Sequence, residues 1–317
     1  MTTLATRRAA ILGALAMPAL ARAQVPVTLR VAQYKAGDGL LLRLAGLADT
    51  PYRIEWSEFG SGNLMLEAAN AGALDLAYGS EIPPTFAAVS SARVKLVAVI
   101  RGDVNEQVVL VPQGSAIRDI AGLKGKRVGY VRATTTHYYL SRMLSEAGLS
   151  LSDVQLVNLT PSDGQAAFRA GALDAWAIYG YSVPIARQGG ARVLRTAEGF
   201  LSGNYPYFIR AGLAEEPARA EAARDLLDRL RRALPFIAER PAEYAAAQAA
   251  ALNVPEATIR ALLDNVSQPR SLVAVDDAAI ASHQAVADEF VRIGVIPRRV
   301  NVAPLWDRGF ARLGGAA

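Results

Sequence analysis

Two short stretches carry the residue types that hold small anions. "TTTH" spans Thr134–His137 before Tyr138, and "GSGN" spans Gly60–Asn63 before Leu64. Each reads as the start of a helix. A helix's first turn leaves backbone N–H groups without partners and carries the positive end of the helix dipole. A phosphate, sulfonate or carboxylate accepts from those groups. Hydroxyl side chains at Thr134, Thr135, Thr136 and Ser61 add donors, with Gly62 and Asn63 at the second start. The plainer reading is N-capping by Ser61, Asn63 or a threonine. The two starts are read as matching positions in two halves of the chain, which favours the ligand reading.

Strand ends supply the remaining candidates. Tyr34 and Lys35 follow "VTLRVAQY" (Val27–Tyr34), Ser80 and Glu81 follow "LDLAYG", and Arg101 follows "VKLVAVI" (Val94–Ile100). Tyr179 and Tyr181 close "LDAWAIYG" and its loop, and Asn204 precedes "YPYFIRA". Lys35 and Arg101 read equally well as solvated loop charges. The aromatic residues either flank an organic substituent or pack the rim.

Sequence signatures of catalysis are sparse. There is no GxSxG, HExxH, GxxxxGK[ST] or helix-opening GxGxxG. The two histidines, His137 and His283, lie in different segments, so neither a metal pair nor a catalytic pair is expected. No cofactor is expected either.

The elements that must position these residues alternate. Strands and helices interleave through "YRIEW" (Tyr52–Trp56), "LMLEAANA", "LDLAYG" and "EQVVLVP" (Glu106–Pro112), which predicts a mainly parallel α/β sheet. The pattern restarts with a strand ending at Val131, a helix ending near Gly148 and a strand at Val154–Leu159. "GALD" occurs at Gly72–Asp75 and again at Gly171–Asp174, each time as a helix end feeding a strand. From about Leu213 the chain turns Ala-, Arg- and Glu-rich with helical spacing, and reads as a helical tail. Two α/β units whose strands end towards each other enclose a cleft, the usual place for a small ligand.

Composition narrows the class. The 317 residues carry a net charge of +5, and three of the arginines, Arg7, Arg8 and Arg22, sit in an acid-free leader whose removal leaves +2. Basic residues form no runs, so no nucleic-acid footprint exists. Residues 1–23 read as an export signal with a short basic start, an apolar stretch over Ala9–Leu20 and an Ala-Arg-Ala end. The Arg7-Arg8 pair resembles a twin-arginine signal, with an ordinary secretory signal as the alternative. The chain has no cysteine, which excludes disulfides, thiol catalysis and a lipid anchor on an N-terminal Cys. An exported chain of this kind is expected in the periplasm.

Several long stretches resemble a known family. "YRIEWSEFGSGNLMLEAANAGALDLAYGSEIPPTFA", "LVPQGSAIRDIAGLKGKRVGYVRATTTHYYLSRMLSEAGL", "GQAAFRAGALDAWAIYGYSVPIA" and "VADEFVRIGVIPRRVNVAPLW" are similar to the substrate-binding proteins of nitrate/sulfonate/taurine-type ABC importers. The match is nearest the aliphatic sulfonate-binding branch. The resemblance implies a type II periplasmic-binding-protein fold, with two α/β lobes joined by a two-stranded hinge. Lobe I would comprise residues 25–111 and 207–317, lobe II residues 112–206, with the hinge strands near Val108–Val111 and Tyr207–Ile209. The family's anion-binding helix start maps onto Thr134–Thr136 with His137 following. Its "SGPPLLEA" maps onto Ser61–Ala68, and its "GDAPP" corner onto Gly79–Pro84. This chain departs at "AIYGYS", where the family often reads "AIWDPY", and at Ala133, where the family has glycine. The implied function is capture of a small organic anion by a monomer, closure of the lobes and delivery to an ABC permease. Two alternatives remain: a binder of a pyrimidine-like heterocycle, relying more on Glu81 and Tyr179, and an enzyme on the same fold.

Overall fold

The structure, a computed structural model, describes residues 27–90 and 93–313. The expected leader lies outside the described residues. The chain opens with β1 (Thr28–Gln33), α1 (Asp38–Leu44), β2 (Arg53–Glu58), α2 (Gly62–Asn70), β3 (Leu76–Tyr78), α3 (Ile82–Val89) and β4 (Val94–Arg101). A second run holds β5 (Gln107–Val111), β6 (Arg127–Tyr130), α4 (Thr135–Glu146), β7 (Gln155–Asn158), α5 (Pro161–Arg169), β8 (Ala175–Tyr179), α6 (Ser182–Gln188) and β9 (Arg192–Thr196). The chain returns through β10 (Asn204–Arg210), α7 (Pro217–Ala233), α8 (Pro235–Glu239), α9 (Pro241–Leu252), α10 (Glu256–Asp264), β11 (Ser271–Val273) and α11 (Asp277–Arg292).

These strands form two sheets, ordered β11-β4-β10-β3-β1-β2 and β7-β6-β8-β5-β9. In the first, β1 runs parallel to β2 and β3, while β10 lies antiparallel to β3 and β4. In the second, β6 runs parallel to β7 and β8, while β5 lies antiparallel to β8 and β9. Every residue of β3 and β5 is buried, as expected of strands covered on both faces. Leu29, Leu76, Leu226 and Leu230 build one core, and Val109, Val128, Leu140 and Ala177 another. The two-lobe α/β architecture is therefore present.

The repeated GALD has a physical basis in this topology. The unit β1-α1-β2-α2-β3 matches β6-α4-β7-α5-β8 strand for strand. Gly72 and Gly171 end α2 and α5 with φ of +76° and +73°, a conformation that suits glycine. Asp75 then accepts from the Arg30 backbone N–H at 2.9 Å and from its guanidinium at 3.1 and 2.8 Å. Asp174 repeats this with Arg127 at 2.8, 3.1 and 2.9 Å. Each GALD is thus an Arg–Asp bracket that fixes a helix end beside the strand entering the sheet, at the end remote from the strand termini that carry Tyr34, Tyr78 and Tyr179.

The chain passes between the sheets over residues 102–106 and 197–203. The expected hinge strand Val108–Val111 lies inside β5, paired on both sides within the second sheet, so it is not the crossing. Tyr207–Ile209 lies inside β10 in the first sheet, and the second crossing precedes it. The two crossings touch where the Gly102 N–H donates to the Gly203 carbonyl at 3.2 Å. A Cβ at Gly203 would overlap the Gly102 carbonyl oxygen, and Gly203 has φ +76°. Only glycine fits there.

The tail departs from the all-helical expectation. β11 joins the sheet edge antiparallel to β4, with Ser271 opposite Arg101. The loop before it is tied to the first crossing. Ser267 and Gln268 donate backbone N–H groups to Asp103 Oδ2 at 2.8 and 3.2 Å, and Asn265 donates to Glu106 Oε1 at 2.6 Å. α11 also bridges the lobes, with Phe290 packed against Phe86 of α3 and against His137 and Tyr138 of α4.

Candidate ligand-binding site

Strand directions bring the expected residues to one place. β1, β3 and β4 end, and β10 and β11 begin, at the same edge of the first sheet. β6 and β8 end, and β5 begins, at the corresponding edge of the second. Tyr34, Tyr78, Arg101, Asn204, Gln107 and Tyr179 follow from that geometry.

Tyrosines line the resulting cleft. The half-buried Tyr34 meets Tyr78 edge-on at 5.3 Å between ring centroids, and Tyr78 meets Tyr207 at 5.1 Å. Tyr179, from the other lobe, lies within electrostatic reach of Tyr34, Tyr181 and Tyr205. Burial drives the Tyr34 and Tyr179 hydroxyls upward in pKa, so both stay protonated donors. The α2 start abuts this group. A Cβ at Gly62 would stand 3.1 Å from the Tyr34 hydroxyl oxygen and 3.3 Å from Gly79 Cα.

The helix starts differ from expectation. α4 follows β6 as α1 follows β1, so the partner of α4 by position is α1 and not α2. The backbone agrees, because Ala36 and Ala133 each stand one residue before the N-cap with φ of +56° and +59°. Each start is also anchored alike to the antiparallel strand of its sheet. The Thr135 hydroxyl donates to Gln107 Oε1 on β5 at 2.7 Å, and the Tyr207 hydroxyl on β10 donates to Asp38 Oδ2 at 2.7 Å. Asp38 is buried, which pushes its pKa up to about 6 against the pull of that hydrogen bond and of Arg270.

The threonine hydroxyls turn inward. Thr134 and Thr136 donate to the Val131 carbonyl at 2.8 and 2.9 Å, and Thr135 is taken by Gln107. None of them caps the helix, so the Thr135 and Thr136 backbone N–H groups have no partner among the described residues, while the His137 N–H donates to the Thr134 carbonyl at 3.1 Å. α2 is likewise uncapped by Ser61, and the buried Asn63 Oδ1 has no partner. The donors that these starts offer are therefore backbone N–H groups, with the threonines holding the shape of the α4 start. Gln107 passes the network onward, its amide donating to the Tyr205 hydroxyl at 2.9 Å.

Four other expected residues take structural parts. Glu81 is 3% exposed, and its Oε1 accepts from Ser202 at 2.7 Å and from Ser282 at 2.9 Å. It ties α3 to the second crossing and to α11. Asn204 helps hold Glu81, and its backbone N–H donates to Ser202 Oγ at 3.1 Å. Arg101 is paired with Asp276 at 2.6 Å. His137 packs between Tyr130 and Phe290, and burial lowers its pKa to about 4, so it is neutral at physiological pH. Ser80 Oγ accepts locally from the Ile82 N–H at 3.4 Å. Lys35 and Tyr181 are exposed.

Sequence reasoning missed Arg270. It precedes β11, opposite Gly102, whose added Cβ would lie 3.2 Å from Arg270 Cγ. Its side chain is exposed to solvent and lies within electrostatic reach of Tyr78, Tyr244, Tyr205 and Asp38. Burial pulls its pKa down, but the facing Tyr78, Tyr244, Tyr205 and Asp38 carry it up, so it stays a cation. Among the described residues it forms no ion pair or hydrogen bond. Its signal in the sequence was "PRSLVAV", a short apolar run after proline inside a tail otherwise of helical spacing.

With this cleft in view, comparison with known proteins decides the family. A family model described as NMT1/THI5 like matches residues 55–244. The chain belongs to the NMT1/THI5-like family. A curated Escherichia coli (strain K12) relative, named as an aliphatic sulfonates-binding protein, is 32% identical over 298 residues, covering 90% of each chain. Among solved structures, the alkanesulfonate-binding protein SsuA from Xanthomonas axonopodis pv. citri, bound to MOPS, matches with a TM-score of 0.82 and 32% identity. That match covers 90% of this chain and 99% of the other. The periplasmic aliphatic sulphonate binding protein SsuA from Escherichia coli matches with a TM-score of 0.78 and 30% identity, over 92% and 95%. Among the described residues no helix is long and apolar enough to cross a membrane, and no group of three or more His, Asp or Glu side chains is placed to hold a metal ion.

Proposed function

We propose that this NMT1/THI5-like protein is the solute-binding component of an ABC importer, binding a small organic anion of the sulfonate class without turning it over. Three relatives at 30% identity or above, each matched over 90% or more of this chain, are named as sulfonate-binding proteins. The observation that carries the reading is the unpaired Arg270 in a cleft bordered by the uncapped starts of α2 and α4. A sulfonate keeps its charge at every physiological pH and offers three acceptor oxygens, which suits one guanidinium and two sets of backbone N–H donors. Tyr34, Ser61, Gly62, Asn63, Thr135, Tyr179 and Tyr181 border the ligand in this reading. Thr134, Thr136 and His137 shape the α4 start without touching it. Residues 1–23 direct the chain to the periplasm, where it works as a monomer and presents the closed, loaded lobes to a permease.

A cationic or pyrimidine-like ligand is less well supported, because Glu81 is buried and its Oε1 accepts from two serines. A thermal-shift panel of methanesulfonate, benzenesulfonate, taurine, nitrate, sulfate and pyrimidines tests the reading. Stabilisation by sulfonates and not by pyrimidines is expected. Stabilisation by pyrimidines alone would overturn it.

A further inference from the structure

The sulfonate reading accounts for the head group and leaves the organic body open. Three kinds of body are chemically distinct: one bearing an amine, one of plain alkyl character and one carrying an aromatic ring. An amine needs a free carboxylate in the cleft. Asp38 is buried with its Oδ2 occupied by Tyr207, and Glu81 is buried and occupied by Ser202 and Ser282. Both side chains are buried, and the Glu81 oxygen left without a partner, Oε2, is itself enclosed, so neither carboxylate stands open to an ammonium group.

Phenols line both sides of the cleft. Tyr34 follows β1 in the first lobe, while Tyr179 ends β8 in the second opposite Gln107, whose amide donates to the Tyr205 hydroxyl at 2.9 Å, and Tyr205 stands within electrostatic reach of both tyrosines. The edge-on contact with Tyr78 fixes the plane of the Tyr34 ring. Gly180, with φ +65°, turns the chain directly after Tyr179 and leaves Tyr181 40% exposed at the mouth. The hydroxyls of Tyr34 and Tyr179 donate to no group among the described residues, so they are available to a bound head group or ring substituent. Arg270 lies within electrostatic reach of Tyr34, Tyr78 and Tyr205, and a guanidinium plane stacks on aromatic rings as readily as it pairs with anions.

We propose that this cleft selects aryl sulfonates: the head group pairs with Arg270, and the ring lies between Tyr34 and Tyr179 when the lobes close. The proposal rests on the sulfonate reading. An alkyl body would gain burial from the same walls, whereas a planar ring also gains the directional contact of aromatic pairs.

Calorimetric titration of the purified protein with benzenesulfonate, cyclohexanesulfonate and methanesulfonate separates the two ideas. The first two share six carbons and one head group and differ in the π system. Benzenesulfonate is expected to bind about tenfold more tightly than cyclohexanesulfonate. Tyr179→Leu should bring benzenesulfonate down to the cyclohexanesulfonate level and leave cyclohexanesulfonate within about twofold, while Tyr179→Phe should keep most of the preference. Equal affinities for the two rings, or equal weakening of both by Tyr179→Leu, would overturn the aryl preference with the sulfonate reading intact. Binding of methanesulfonate alone would do the same. Binding of none of the three would overturn both.

Discussion

Replacing Glu81 by glutamine should change the protein's stability in a way that depends on pH. Glu81 is 3% exposed, and burial raises its pKa from 4.5 to about 7, against the downward pull of hydrogen bonds from Ser202, Ser282 and Asn204. A carboxyl group whose pKa is raised on folding holds more protons in the folded state than in the unfolded one. Its favourable contribution is full below the unfolded value of 4.5 and is lost as pH rises through about 7. The span between those values corresponds to about 3 kcal/mol. Glutamine does not titrate, keeps an amide oxygen for the two serines, and places an NH2 where Glu81 Oε2 already sits buried without a partner. At pH 4.5 the protonated acid and the amide present similar groups, and their stabilities should lie within about 1–2 kcal/mol. At pH 8 the wild-type protein carries a buried anion and the variant does not. The stability of Glu81→Gln relative to wild type should therefore rise by about 3 kcal/mol from pH 4.5 to pH 8. With an unfolding entropy of about 0.6–0.7 kcal/mol per degree for a chain of this length, that is a relative Tm gain of about 5 °C. Thermal unfolding of both proteins across this range reads it directly, because every other titrating group cancels in the difference. A Tm difference constant to within 1 °C would refute the reasoning, since Glu81 would then titrate alike in both states.

Three further predictions follow from other parts of the structure. Arg270→Gln should weaken sulfonate binding about ten- to a hundredfold, the worth of a charge-assisted hydrogen bond, and leave the ligand-free Tm within about a degree; calorimetry and a thermal melt check both. Ala133→Gly should stabilise by about 0.5–1 kcal/mol in a denaturant titration, because φ +59° costs alanine more than glycine's extra chain entropy. Asp75→Ala should cost about 3–5 kcal/mol, because its fully buried carboxylate pairs with both Arg30 and Arg210. Asp174→Ala, at a carboxylate 33% exposed and with one arginine, should cost a small part of that, and denaturant titration of the two variants compares them directly.

The two GALD stretches were legible as equivalent helix-to-strand joins because the repeat sits in local chemistry: a left-handed glycine, then an aspartate facing an arginine on the neighbouring strand. The helix starts were not, because residue type alone does not say which helices are equivalent. Ser61-Gly62-Asn63 looks like Thr134–Thr136, yet topology makes α1 the counterpart of α4. The true correspondence lies in features a sequence scarcely advertises: alanines at positive φ one residue before each N-cap, and one side-chain bond from each start to an antiparallel strand. The same limit explains Arg270 and Glu81. Lys35, Arg101 and Glu81 drew attention as charges beside strand ends, but a charge beside a strand end is as often spent on a structural partner as left for a ligand. Arg101 goes to Asp276 and Glu81 to two serines from distant segments. Arg270 stands free because its loop is pinned to the first crossing through Asp103 and Glu106, contacts spanning about half the chain. Which charge remains unpaired is a property of the whole fold. In the proposed reading, that residual charge, more than the threonines, marks where the anion would be held.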